Sequence, residues 1–202
     1  MIGYISRAHA RPRRPQASRR RRARKGRIVK TRTIAAALLL VANGWAASAT
    51  AQVGYSGYAL PLALAVEAAT AAVKACEAKG WPVTATVVDA SGLVKATLKA
   101  DHATVHTPDT AFRKAYTVAT LGPIFKFDRS SAFAEIVAKY PGGTGTSLTT
   151  IPNVIALAGG VGVMHGTEIV AAIGVGGAPG GDKDEACASA GLAAIADRAK
   201  AQ

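Results

Sequence analysis

Three histidines lie beyond residue 51: His102, His106 and His165. They are the side chains best suited to hold a metal or carry a proton near neutral pH. His102 and His106 are four apart, the spacing that aims two imidazoles at one ion when both sit on a helix. Here Thr107-Pro108-Asp109 opens a helix only after them, with Thr107 as its cap and Pro108 at its first position. Both histidines therefore belong to the approach loop, where Asp101 is the one nearby carboxylate for a third zinc ligand. His165 falls in an expected hairpin turn, where exposure is the default, and Met164 beside it reads as strand core rather than as an axial ligand. No G-x-S-x-G elbow occurs, and the carboxylates are scattered without the pairing that glycoside hydrolysis requires.

The run Gly174-Val175-Gly176-Gly177-Ala178-Pro179-Gly180-Gly181 precedes a helix and invites comparison with a phosphate-binding loop. Pro179 occupies the position of the last fingerprint glycine, and no Lys-Ser/Thr pair follows. Asp182, Asp184 and Glu185 fill the first helical turn, where they neutralise its positive end and repel phosphate. Close backbone packing after a strand is the expectation. Cys76 and Cys187 fall on the first and last helices. They suit a disulfide in an oxidising compartment, while Cys76 equally suits a reduced core position in an apolar stripe.

The elements that must carry these residues follow from periodicity. Leu62, Val66, Ala69, Val73 and Cys76 step by four and three, which predicts an amphipathic helix ending near Lys79-Gly80. The β-branched runs Val83–Val88 and Leu93–Leu98 flank Asp89-Ala90-Ser91-Gly92 and predict a hairpin. The helix opened by Thr107 is expected to reach about Leu121 with Ala111, Ala115 and Val118 on one face. A short helix is expected over 131–140, a loop over 141–147, and strands over 154–158, 161–164 and 169–175. The last helix is expected to start at Asp182, capped by that residue with Glu185 answering, and to bury Ala188, Leu192, Ile195 and Ala199. The order predicts a single α+β domain, a largely antiparallel β-sheet flanked by α-helices.

Charge separates the chain into two parts. All thirteen basic residues before residue 52 lie between Arg7 and Arg32, with no acid among them, so the remaining twelve balance the 12 Asp and Glu. The net charge of +13 is thus confined to the N-terminal segment, and the rest carries no excess that would draw nucleic acid. Lys30 and Arg32, the apolar run Ile34–Ala42 and the end Ala49-Thr50-Ala51 have the form of a secretory signal peptide cleaved after Ala51. The run is roughly half of the ~20 residues needed to span a bilayer, so no stable membrane span is expected after cleavage. Residues 1–28 are expected to be an over-extension of the reading frame, with translation beginning at Val29. A twin-arginine signal at Ser18-Arg19-Arg20 is the alternative, against which Arg21-Arg22 stand where an apolar residue is usual. The expected organisation is a basic extension with signal peptide over 1–51 and one domain over 52–202, exported to the periplasm or beyond the cell.

Within that domain, the segment from Trp81 to Gly92 resembles the first hairpin of the GlcG/HbpS-like haem-binding family. So do His106-Thr107 followed by Arg113-Lys114-Ala115-Tyr116-Thr117, and the closing block Ala171–Gly180 with Asp184-Glu185-Ala186-Cys187-Ala188. The resemblance covers roughly residues 60–200. This chain departs from the family pattern at Gly162, Met164-His165 and Gly176. The resemblance implies a homo-oligomer that binds haem, a binding protein more than an enzyme. It matches His106 and Thr107 to a position near the ligand region and Arg113 and Lys114 to the basic pair; His106 is the expected iron ligand, with His102 a further candidate for the cofactor site. Haem requires an axial donor, an apolar slot and cations for its propionates, and these residues supply the first and third. Two other roles are open on the same resemblance: an enzyme or binding protein for a small organic acid, and a ligand-free accessory or scaffold subunit.

Overall fold

The computed structural model describes residues 56–200, so the expected leader, its cleavage point and the boundary at residue 52 lie outside the described residues. Helix α1 (Leu62–Glu77) leads to the hairpin β1 (Thr84–Asp89) and β2 (Val94–Lys99). Then come α2 (Thr107–Phe125), α3 (Ser130–Lys139), α4 (Thr144–Thr149), β3 (Gly160–His165), β4 (Glu168–Gly176) and α5 (Gly181–Lys200). The four strands form one antiparallel sheet in the order β2-β1-β4-β3.

Both faces of this sheet are covered, which is why β4 reads as a near-continuous apolar run rather than an alternating one. Ala85, Val87, Ala171, Ile173 and Val175 face α1 and α5 in one cluster. Val88 and Ala172 face α2 and join Ala115, Val118, Phe127 and Phe133 in the other. Gly174 and Gly176 are on that second face, where an added Cβ at Gly174 would lie 2.0 Å from the Ala111 carbonyl and one at Gly176 2.4 Å from Thr110 Oγ1. The glycine-rich stretch thus lets α2 lie directly on the β4 backbone, as close packing requires.

The helix stripe of α1 is rotated from the expected one. Leu64, Ala65, Ala68, Ala69, Ala72 and Cys76 are buried, whereas Leu62 and Val66 are 59% and 41% exposed. Small residues win because α1 packs closely on α5, where a Cβ at Gly191 would come 2.5 Å from the Ala68 carbonyl. Cys76 and Cys187 meet in that seam as a disulfide with Cα atoms 5.7 Å apart, which resolves the two readings of Cys76.

Four further expectations change. Residues 154–158 form no strand: the Val154 carbonyl accepts from Arg113 and the Ile155 N–H donates to Thr117 Oγ1, so side chains hold the segment. The expected loop over 141–147 contains the start of α4. Glu185 does not answer Asp182; its carboxylate accepts from the Ser131 N–H and hydroxyl at the start of α3. Helix α2 also runs past Leu121 through Pro123, and the left-handed Lys126 (φ 60°) ends it.

Candidate functional site

Helix α2 carries most of the residues singled out from the sequence, and its seating decides which way each one points. Thr107 is fully buried, one position inside the helix rather than at its cap. Its hydroxyl donates to the Thr104 carbonyl at 2.8 Å, so the 2.7 Å contact with Thr84 Oγ1 is donated by Thr84. This pair ties the start of α2 to β1 and leaves the cap position to His106. The His106 imidazole is exposed, and Val105 before it is 92% exposed. His102 is exposed on the same loop, in a left-handed conformation (φ 65°) that is uncommon for a non-glycine residue.

Arg113 stands two turns from His106 on α2, roughly 10 Å along the axis at 1.5 Å per residue. Its Nη2 donates to the Val154 carbonyl at 2.9 Å, and Nη1 is 3.8 Å from Asp109 Oδ2. Its Nε is buried with no hydrogen-bond partner.

Lys114 points the other way. It is buried, with Nζ donating to Asp184 Oδ2 at 2.6 Å and to the Val175 carbonyl at 3.0 Å. Burial pushes the Asp184 carboxyl above the usual range, opposed by hydrogen bonding to Lys114 and by its charge. Asp184 Oδ1 also accepts from the Ala178 N–H, so the pair clamps the end of β4 and the start of α5 onto α2. The basic pair is therefore split, with Arg113 on the surface side and Lys114 within the fold.

The donor set fits haem in part. His106 offers an exposed imidazole and Arg113 a partly exposed cation, its Nε excepted, which is buried. Val105 beside His106 is exposed rather than enclosed. A slot for a macrocycle would need a second wall.

A cavity of about 680 Å³ lies at the opposite end of α2 and contains none of these residues. Lys126, Phe127, Asp128, Met164, Thr167 and Glu168 are among the residues that line it. His165 ends β3 with its ring stacked on Tyr58, centroids 4.4 Å apart and planes 4° from parallel. Its expected exposure gives way to partial burial because the segment before α1 returns over the hairpin. Tyr58 and Glu168 carried no sequence signal: one precedes the first helix and stacks on a residue far along the chain, and the other sits at a strand end and accepts from the distant Ser56 N–H.

The model of a family described as haem degrading protein, HbpS-like, matches residues 60–193. Among curated proteins there is no significant match. A double mutant of HbpS from Streptomyces reticuli is 38% identical over 74% of this chain and 94% of its own, with a TM-score of 0.62. Another HbpS structure is 36% identical over 73% and 98%, with a TM-score of 0.63. A PduOC:haem complex, 22% identical over 68% and 96%, has the same fold with a TM-score of 0.59.

Proposed function

The chain belongs to the HbpS-like haem degrading protein family, and from that premise we propose that it is an exported haem-binding protein with His106 as the iron's imidazole ligand. The observation that carries this reading is the exposed imidazole at the start of α2 with the Arg113 guanidinium two turns along. Arg113, whose side chain is one-third exposed, would meet a propionate by a charge-assisted hydrogen bond. His102 lies on the same loop as a neighbouring donor, and Thr107 acts indirectly, fixing the start of α2 through Thr84. Bound there, haem supplies its own iron chemistry, while the protein supplies the ligand, the counter-charge and control of solvent access.

In the homo-oligomer that the family implies, a second copy would close the slot over Val105, which is 92% exposed beside His106. The buried Cys76–Cys187 bridge supports an oxidising compartment, consistent with export. No helix among the described residues is long and apolar enough to cross a membrane. Titrating haemin into the full chain should give a saturable Soret band that weakens in His106→Ala and shifts to lower affinity in Arg113→Ala. An unchanged band in His106→Ala rejects the ligand assignment, and no saturable band rejects the function.

A further inference from the structure

Residues 56–60 lead into α1 without a backbone–backbone hydrogen bond to any other part of the described chain. Two contacts hold them over the turn between β3 and β4. The Tyr58 ring stacks on His165, and the Ser56 N–H donates to Glu168 Oε2 at 2.8 Å. Leu60, 1% exposed, packs into the core and anchors the far end of the segment. Only residues 56–59 therefore depend on the two contacts.

That contact is poorly satisfied. Four buried side-chain polar atoms among the described residues lack a hydrogen-bond partner, and Tyr58 Oη, His165 Nδ1 and Glu168 Oε1 are three of them. Each belongs to a residue that makes the contact, whereas the fourth, Arg113 Nε, lies with the haem site already described. A buried polar atom without a partner biases an equilibrium about fivefold to a hundredfold toward a state in which water reaches it. With two contacts to hold it and three groups to hydrate, the segment sits at the low-stability end of the fold.

We propose that residues 56–59 form a strap that lifts off the β3–β4 turn about the Leu60 anchor while the rest of the domain stays folded, freeing the Glu168 carboxylate at the wall of the cavity. Ser56 from the strap and Met164, Thr167 and Glu168 from the hairpin all line that cavity of about 680 Å³. With the strap closed, one Glu168 oxygen is tied to Ser56 and the other is buried. With the strap open, the carboxylate is untied and the wall that Ser56 supplies is withdrawn. The strap thus governs both the width of the cavity and whether it presents a free carboxylate.

Nitration of the full chain by tetranitromethane, read by peptide mass spectrometry, tests the strap. The reagent needs a solvent-exposed phenol, and Tyr58 Oη is buried while the strap is closed. Tyr140, 59% exposed, supplies the reference rate. Tyr58 should react more slowly than Tyr140 but measurably. Its initial rate should hardly change with guanidinium below the unfolding transition, because a local opening exposes little surface. His165→Phe keeps an aromatic ring against Tyr58 and removes the unpartnered nitrogen, so it should slow Tyr58 nitration about fivefold or more. Thermal midpoints verify folding of the variant, and should it unfold, the guanidinium dependence of the parent decides alone. A Tyr58 that reacts only as the whole domain unfolds, or as fast as Tyr140, overturns the proposal. So does a folded His165→Phe protein in which Tyr58 reacts as fast as in the parent.

Discussion

Lys114→Met isolates what the buried ion pair contributes and whether that lysine belongs to the fold or to a ligand. Lys114 and Asp184 are each 3% exposed and joined at 2.6 Å. Removing the ammonium leaves a buried carboxylate whose remaining partner is the Ala178 N–H, at an expected cost of about 3–5 kcal/mol. Pairing the change with Asp184→Asn removes the charge while an amide oxygen still accepts from Ala178. The double variant should therefore lie within about 1–2 kcal/mol of the parent, so the second substitution rescues the first. The sign with pH follows from Asp184, whose folded carboxyl is raised by burial. Loss of Lys114 removes what opposed that rise. The raised group favours the folded state when protonated, so the deficit of Lys114→Met should be largest near neutral pH. It should shrink as pH falls through the elevated folded value. Guanidinium unfolding without reductant, at neutral and mildly acidic pH, measures both. A Lys114→Met protein as stable as the parent at neutral pH, or a deficit that grows on acidification, refutes the clamp. The double variant should also retain the parent's haemin affinity, since neither side chain faces His106.

Three further outcomes test the scaffold. Replacing Cys76 and Cys187 together by Ala should lower stability by about 5 kcal/mol, the chain-entropy estimate for a cross-link spanning 111 residues, read as a lower guanidinium midpoint. Gly174→Ala would press a methyl against the Ala111 carbonyl and should cost about 3 kcal/mol or prevent accumulation of folded protein in expression and thermal-melt assays. Gly142→Ala meets nothing within 4 Å and should change stability by less than about 0.5 kcal/mol in the same melt.

The hairpin of β1 and β2 was legible because its β-branched runs flank a turn whose Asp89 carboxylate accepts from the Ser91 and Leu93 N–H groups. The seating of the glycine-rich stretch was legible because the acids beyond it excluded a phosphate. The rotation of α1 was not legible. Periodicity ranks Leu62 and Val66 above alanine, whereas helix-on-helix approach at Gly191 selects the smaller residues. Segment 154–158 reads as a strand by composition, but the Arg113 and Thr117 side chains take its backbone groups instead. At the candidate site, the adjacency of Arg113 and Lys114 suggested one function for two cations. Successive helix positions lie about 100° apart, so one faces Val154 and the other Asp184. The contact of Tyr58 with His165 spans over a hundred residues and has no local signature.

Haem binding in this reading depends on the imidazole of His106. A haemin titration of the full chain, compared with His106→Ala under the same conditions, tests it most directly. The parent should give a saturable Soret band and the variant a weakened, blunted one, with thermal midpoints matched. A parent that gives no saturable band, or a variant whose band and affinity equal the parent's, contradicts it.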